Sequence, residues 1–201
     1  MAKIVCFEGV HGSGKATIIA SFLEELKKYQ YAGKCEVIRD SEYPAFEQVK
    51  QDIRSGVLTD KREIIEVVAS TRAQIYEEHI NARLQELDLV LLDRSYYTSA
   101  VWQSETDEEM YHILHENERR GIPQADLTFV LYVPISVIGE RLRSRNRSDV
   151  GEHDLDKIAE NQRKYMHLAK HRDECFPVST ENDPVILGRD AYTVISAIIA
   201  L

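Results

Sequence analysis

Residues 9–15, Gly-Val-His-Gly-Ser-Gly-Lys, are the stretch that decides the fold of this chain. They follow the short apolar run Ile4-Val5-Cys6-Phe7 and precede a stretch in which Ile19, Phe22 and Leu26 recur at helical spacing. A strand, a turn with the spacing Gly-x-x-x-x-Gly-Lys and a helix together predict a phosphate-binding loop. The glycines let backbone N–H groups turn toward phosphate oxygens, and the helix N-terminus adds its positive end.

The candidate nucleotide-binding residues are those of the loop and the two that follow it. Lys15 is expected to reach the β- and γ-phosphates as a point charge, which also makes it a candidate catalytic residue. The motif places Ser or Thr after the lysine as a Mg²⁺ ligand, but this chain has Ala16. Thr17 is turned by about 100° around the helix, so we do not expect it simply to replace that ligand. The predicted nucleotide-binding residues are Gly9, His11, Gly12, Ser13, Gly14, Lys15, Ala16 and Thr17.

Further apolar runs alternate with helical patterns along the rest of the chain. Residues 36–38, 87–92, 127–133 and 184–187 are predicted strands, and residues 191–201 are predicted to form a closing helix. Continuous apolar strands that alternate with helices indicate a parallel sheet covered on both faces. The length of 201 residues suits a single domain.

Composition excludes several classes of function. Apolar residues make up 43% of the chain and charged residues 29%, which is typical of a globular protein. The formal net charge of −9 argues against nucleic-acid and anionic-membrane partners. The three cysteines have neither disulfide-framework nor zinc-site spacing, and no apolar stretch approaches the roughly 18 residues of a membrane span. We therefore expect a cytoplasmic protein with small-molecule partners.

Asp93 ends the apolar run at residues 87–92. An acid at the end of a buried strand is typical of the second Mg²⁺-organising residue of enzymes with a phosphate loop. A helix cap or a turn aspartate is the alternative interpretation. Asp93 is the predicted metal-site residue.

Motifs in the right order along nearly the whole chain resemble those of thymidylate kinases. They are Phe7-Glu8-Gly9, Tyr43-Pro44, Asp93-Arg94 with Thr98, Trp102 and Gln103, residues 121–127, the arginines at 141, 143 and 145, and residues 160–169. The resemblance implies an α/β P-loop NTPase fold, a three-layer sandwich with a five-stranded parallel sheet flanked by helices. It implies one domain over residues 1–201 with a lid near residues 141–155. It also implies ATP-dependent conversion of dTMP to dTDP, with Mg²⁺, by a homodimer.

The resemblance also implies roles for single residues. Arg94 is expected to hold the acceptor phosphate with help from Arg72, because a guanidinium can form two parallel hydrogen bonds to phosphate. Gln103 is expected to face the acceptor base. Lid arginines are expected to close over the donor phosphates, and Arg147 is a further candidate. The predicted acceptor-binding residues are Tyr43, Pro44, Val68, Arg72, Arg94, Thr98 and Gln103, and the predicted catalytic residues are Lys15, Arg94, Arg141 and Arg145.

Alternate positions do not all share one helix face, so at most two or three of the lid arginines are expected to reach a ligand. Trp102 is predicted either to pack or to stack on a base. Tyr96 and Tyr97 are predicted to line either the acceptor site or the core.

Three positions depart from the pattern of the family. Ala16 lacks the hydroxyl, His11 stands where the family has an acid near the acceptor sugar, and Val68 stands where it has an aromatic ring under thymine. Three hypotheses therefore stay open: a kinase of dTMP or a related pyrimidine nucleotide, a kinase of another nucleoside monophosphate or a deoxynucleoside, and a nucleotide-binding regulator that has lost catalysis. The presence of Arg72 and Arg94 favours an acceptor that already carries a phosphate.

Overall fold

The computed structural model describes residues 2–144 and 154–199. Five strands form one parallel sheet with the order β2-β3-β1-β4-β5. The strands are β1 (Lys3–Glu8), β2 (Cys35–Ile38), β3 (Leu89–Asp93), β4 (Leu127–Tyr132) and β5 (Cys175–Ser179). The predicted α/β fold with a five-stranded parallel sheet is therefore confirmed.

Helices connect the strands, as parallel pairing requires. They are α1 (Lys15–Lys28), α2 (Pro44–Arg54), α3 (Lys61–Ile75), α4 (Asn81–Glu86), α5 (Tyr96–Gln103), α6 (Asp107–Arg119), α7 (Ile135–Ser144), α8 (Leu155–His171) and α9 (Pro184–Ile199). A short 3₁₀ helix covers Asp40–Glu42, and a π-helical turn, Tyr76–Ile80, joins α3 to α4. Among the described residues, no helix has both the length and the apolarity to cross a bilayer.

The chain divides into two compact units. The first unit combines the start of β1 with Lys34–Ala125, and its core includes the buried strand β3. The second unit combines Val5–Gly33 with the described residues from Asp126 onwards. Its core includes the aromatic pair Phe7 and Phe129, whose ring centroids lie 5.4 Å apart. The single domain inferred from length stays a prediction.

Short polar side chains start several helices at residues that sequence rules favour. Asp60 accepts a hydrogen bond from the N–H of Glu63 at the start of α3, and Thr106 accepts one from Glu109 at the start of α6. Such caps satisfy backbone donors that the first turn of a helix leaves unpaired. The register of the sheet pairs Ile38, the last residue of β2, with Leu92, which lies one residue before the end of β3.

The predicted strand at residues 184–187 is wrong. These residues form the first turn of α9, and the fifth strand is Cys175–Ser179. The helix begins with Pro184, and the Asp183 carboxylate accepts a hydrogen bond from the N–H of Val185 at 2.7 Å. An acid followed by proline is a helix-start signal, whereas an apolar run of four residues does not distinguish strand from helix.

Candidate active site

The phosphate loop, residues 9–15, lies in the second unit between β1 and α1. Gly9, Gly12 and Gly14 have φ angles of 140°, 78° and 93°, which L-residues rarely adopt. A Cβ atom at Gly9 would lie 2.5 Å from the carbonyl oxygen of Leu131. The N-cap residue of α1 is Gly14, which has no side chain with which to cap the helix. A helix N-terminus that is not capped by a side chain suits an anion.

Lys15 is folded back onto the loop and is only 8% exposed. Its Nζ atom donates hydrogen bonds to the carbonyl oxygens of Gly9 at 2.7 Å and Val10 at 2.9 Å. It also lies 3.4 Å from Oγ of Ser13. Lys15 is therefore a part of the loop and is not a solvated surface lysine.

A cavity of about 250 Å³ opens beside the loop in the second unit. It is lined by Gly14, Thr17, Ile18, Arg141, Ser144, Thr180, Asn182, Pro184 and Leu187. Thr17 thus lines this cavity, whereas Ala16 is exposed and does not line it.

Thr180 and Asn182 also line the cavity, but the sequence did not predict them, because the predicted fifth strand lies too late in the sequence. The polar cluster Ser179 to Asp183 is the signal that could have identified them.

Arg141 connects α7 to the loop and to the residue after β5. Its guanidinium donates to the carbonyl oxygen of Gly12 at 3.1 Å, and to Oγ1 and the carbonyl oxygen of Thr180 at 3.2 and 2.8 Å. Arg143 is exposed and bonds to the Gly139 carbonyl of its own helix. Of these two arginines, only Arg141 thus contacts the loop. Arg145 and Arg147 lie outside the described residues, as does most of the predicted lid.

Asp93 ends β3 in the first unit, beside the end of β2. The register that pairs Ile38 with Leu92 brings Arg39 next to Asp93, and the Nε atom of Arg39 lies 2.7 Å from the carboxylate. The hydrogen bond to Asp93 raises the pKa of Arg39. Sequence reasoning missed Arg39, since the register that pairs two strands cannot be derived from either strand alone.

The residues present do not fit a metal held by several protein ligands. The described residues contain no group of three or more His, Cys, Asp or Glu side chains that could hold an ion. Ala16 has no oxygen in its side chain, and Asp93 is paired with Arg39. The residues present fit a Mg²⁺ ion whose ligands are mainly phosphate oxygens and water molecules, since Mg²⁺ readily retains its water ligands.

Arg94 has a left-handed backbone, with φ 78°, although it is not a glycine. Such a conformation costs about 1–3 kcal/mol and tends to occur at functional sites. The next residue, Ser95, starts α5, and its hydroxyl accepts a hydrogen bond from the N–H of Tyr97. The Arg94 guanidinium lies 3.4 Å from Oγ1 of Thr98, one turn into α5. The structure therefore brings together two residues that the sequence assigned to the acceptor.

Arg72 is a buried residue and not a surface residue, since only 3% of it is exposed, and it makes several polar contacts. Its guanidinium donates to Asp40 at 2.6 Å, to Asn117 at 3.0 Å and to Ser99 at 3.0 Å. It also lies over the ring of Phe46, 5.0 Å from the ring centre. These contacts join residues of the 3₁₀ helix, α2, α5 and α6 to α3. The predicted help with the acceptor phosphate stays a prediction, and a structural function is evident.

The remaining predicted acceptor residues lie in different environments. Val68 is buried one turn before Arg72, and the Oε1 atom of Gln103 is buried without a hydrogen-bond partner in the described part of the chain. Tyr43 stacks on His79 with ring centres 5.3 Å apart. Burial, and secondly the charge of Asp40, raise the pKa of Tyr43.

Tyr43 and Pro44 line a cavity of about 260 Å³ that Arg39 and Arg83 also line. Tyr96 and Tyr97 are both buried in the core and stack on each other. Trp102 is half-buried.

Sequence comparison connects these sites to known proteins. A sequence model described as thymidylate kinase matches residues 7–187. The chain belongs to the thymidylate kinase family. The thymidylate kinase of Ureaplasma parvum serovar 3 is 24% identical over 186 residues, which cover 90% of this chain and 80% of that protein. That of Leptospira interrogans serovar copenhageni is 30% identical over 156 residues, covering 78% and 74%. A probable thymidylate kinase 1 of Saccharolobus solfataricus is 28% identical over 174 residues, covering 85% of each chain.

Membership of the thymidylate kinase family confirms the resemblance stated from the motifs. The chain is a phosphotransferase of the nucleoside monophosphate kinase type. The matched region includes both the phosphate loop and the Asp93-Arg94 pair. The roles of single side chains remain predictions.

Proposed function

We propose that this chain transfers the terminal phosphoryl group of ATP to dTMP and forms dTDP. The observation that carries the proposal is the phosphate loop, in which positive-φ glycines and the start of α1 surround a buried Lys15. A loop of this kind binds the β- and γ-phosphates of a nucleoside triphosphate. The names of the relatives, thymidylate kinases, support dTMP as the acceptor.

On the donor side, the second unit supplies binding and orientation. Lys15 binds the β- and γ-phosphates, and the N–H groups of the loop bind the remaining oxygens. The cavity beside Thr17 and Arg141 has room for the base and sugar of the donor. Arg141 keeps the loop in shape through the Gly12 carbonyl and presents a positive charge to the cavity. Phosphoryl transfer depends mainly on such positioning and charge stabilisation.

On the acceptor side, the first unit supplies Arg94 for the phosphate of the monophosphate. The strained backbone of Arg94 supports this role, because strain of this size persists where function requires it. Gln103 offers a buried amide oxygen that accepts a hydrogen bond from an N–H group of the base. A thymine or uracil ring provides such an N–H group, which supports a pyrimidine acceptor.

Magnesium enters with the nucleotide in this proposal. The carboxylate of Asp93 would bind a water ligand of the ion, and Mg²⁺ would neutralise negative charge on the phosphates. We also propose, from the resemblance alone, that the protein is a cytoplasmic homodimer.

Two observations favour alternatives. The aliphatic side chain of Val68 at the position of the family's aromatic ring favours a different nucleotide or a deoxynucleoside as acceptor. Ala16, together with the engagement of Asp93 by Arg39, favours a nucleotide-binding protein with weakened catalysis.

A coupled assay of ADP formation separates these functions. The chain is incubated with ATP and Mg²⁺ and with a panel of deoxynucleosides, deoxynucleoside monophosphates and ribonucleoside monophosphates. We expect dTMP to give the highest kcat/KM. A higher value for another monophosphate or a nucleoside would change the acceptor, and no turnover with any of them, despite measurable ATP binding, would establish the non-catalytic alternative.

A further inference from the structure

Glu8 is a buried acid directly before the phosphate loop. It is the last residue of β1 and is 0% exposed, and Gly9 follows it. Burying an ionisable group costs free energy unless the group is hydrogen-bonded. A carboxylate is also an unfavourable neighbour for phosphate groups. A function that outweighs both costs would explain an acid at this position.

The hydroxyl of Tyr165 holds this acid from helix α8. It donates a hydrogen bond to Oε2 of Glu8 at 3.0 Å, and Tyr165 is itself only 1% exposed. The thiol of Cys6 lies 3.9 Å from the other carboxylate oxygen. At 3.0 Å the bond is at the long end of the range for O–H···O hydrogen bonds, but it is buried, and hydrogen bonds are directional and electrostatically stronger in a protein interior than in water. The Tyr165 hydroxyl therefore restrains the Glu8 side chain.

The restraint on Glu8 extends to the loop through the backbone. The carbonyl of the next residue, Gly9, accepts the 2.7 Å hydrogen bond from Lys15. Gly9 also has no space for a side chain, since an added Cβ would lie 2.5 Å from the Leu131 carbonyl oxygen and 2.8 Å from Oγ of Ser13. A shift of Glu8 would thus displace an acceptor that holds the phosphate-binding lysine.

Polar contacts attach helix α8 to Val133, the residue that follows β4. The side-chain amide of Gln162 accepts from the N–H of Val133 at 3.3 Å and donates to its carbonyl at 3.0 Å. Hydrogen bonds have preferred directions, so these contacts fix the orientation of α8 more closely than apolar packing would.

We propose that Tyr165 is a positioning residue for the polyphosphate of the donor and that it acts through Glu8 on the phosphate loop. Polyphosphate binding and the packing of α8 are then coupled, because each requires the same position of Glu8. This inference rests on the proposed function of the loop as the ATP site. It assigns Tyr165 no contact with the nucleotide.

Binding measurements on Tyr165→Phe test the coupling. Three ligands, ATP, tripolyphosphate and adenosine, displace a fluorescent ATP analogue from the wild type, from Tyr165→Phe and from the control Tyr192→Phe. Tyr192 lies in the same unit and stacks on Tyr29, away from the loop. A hydrogen bond to a charged group contributes a factor of about ten or more to an equilibrium constant, and this factor reaches the affinity to the extent that binding requires the Tyr165–Glu8 bond. We expect about a tenfold loss for ATP and tripolyphosphate in Tyr165→Phe, with adenosine unchanged, and no loss in Tyr192→Phe.

The pattern across ligands separates positioning from a general loss of stability. Equal losses for adenosine and tripolyphosphate in Tyr165→Phe, or no loss for either, would overturn the inference while wild-type ATP binding still supports the proposed function. A wild type that binds neither ATP nor tripolyphosphate would contradict the proposed function, and this inference with it.

Hydrogen–deuterium exchange of the wild type provides a second test that needs no variant, in case Tyr165→Phe does not fold. We expect tripolyphosphate to slow amide exchange both in the loop and in the segment of α8 around Tyr165. Protection confined to the loop would overturn the coupling. The small ligand is used because it has no base or sugar that could contact α8 directly.

Discussion

The phosphate loop and the end of β3 both contain left-handed backbone, but they adopt it in different ways. In the loop, positive φ angles fall on Gly9, Gly12 and Gly14, where they carry no steric penalty. At the end of β3, the positive φ falls on Arg94, where a side chain makes it costly by about 1–3 kcal/mol. The loop geometry therefore follows from residue types, whereas the Arg94 geometry requires support from the surrounding structure.

The side-chain contacts of the two regions differ in the same manner. The Nζ atom of Lys15 bonds to Gly9 and Val10, only 6 and 5 residues away. Arg72, in the unit that carries Arg94, bonds to partners 27 to 45 residues away. Lys15 is therefore held by a local motif, whereas Arg72 is held by tertiary contacts. Substitutions on the two sides test that difference.

Asp40→Ala should lower the free energy of unfolding by about 3–5 kcal/mol, because it leaves the Arg72 guanidinium buried without its counter-charge. Both side chains of this pair are 4% exposed. Urea denaturation measures the effect, with Glu42→Ala as control, since Glu42 is an exposed acid two residues away. A loss below about 1 kcal/mol would show that the ion pair contributes little, as exposed pairs do.

Lys15→Ala should lower kcat/KM by a factor that corresponds to about 2–4 kcal/mol of lost transition-state stabilisation. This is the range for removing one preorganised charge-stabilising donor. Lys15 is buried in the loop, so circular dichroism and the melting temperature are measured beside the coupled assay. Lys27→Ala removes an exposed lysine of the same helix and should keep the wild-type rate. A Lys15→Ala chain that is folded and retains more than about a tenth of the rate would contradict the assigned role of the loop.

Arg94→Ala should raise the KM for the monophosphate far more than the KM for ATP. The increase for the monophosphate should correspond to about 1.5–3 kcal/mol of binding free energy, the range for loss of a charged donor. Arg94→Gly is the matched variant, because it also lacks the guanidinium but accepts positive φ. It should show the same KM defect and unfold with about 1 kcal/mol more stability than Arg94→Ala. Equal defects for both substrates would assign Arg94 to the general architecture.

Ala16→Thr should lower the Mg²⁺ concentration needed for half-maximal rate and increase the rate, by less than about tenfold, because one water ligand is replaced by a hydroxyl. Ala16 is exposed, so the larger side chain has space. Ala16→Val has nearly the same shape without the hydroxyl and should not change the Mg²⁺ dependence. If Ala16→Thr and Ala16→Val have the same effect, the hydroxyl group is irrelevant. If the rate of the wild type already saturates at a low Mg²⁺ concentration, another residue supplies the ligand, and Thr17 is the next residue to test.

The mistaken fifth strand shows where pattern recognition from sequence fails. Cys175–Ser179 contains Pro177, which argues against a central strand. The strand is accommodated because β5 is at the edge of the sheet, next to β4. The apolar run of residues 184–187 was a more obvious strand pattern, yet its proline starts a helix. Position in the sheet is a property of the whole fold, and it explains why Pro177 is tolerated in β5.

The phosphate loop, the helix that follows it, the parallel α/β class and the family can all be recognised from the amino-acid sequence. Each depends on residue types at short spacing, because glycine permits positive φ and apolar periodicity selects helix or strand. Only the tertiary structure decided that Arg39 pairs with Asp93, that Arg72 is buried against Asp40, and that Tyr165 holds Glu8. These contacts join residues 32 to 157 positions apart. Strand register and helix packing bring such residues together, and no local pattern encodes which distant side chain a charge will meet.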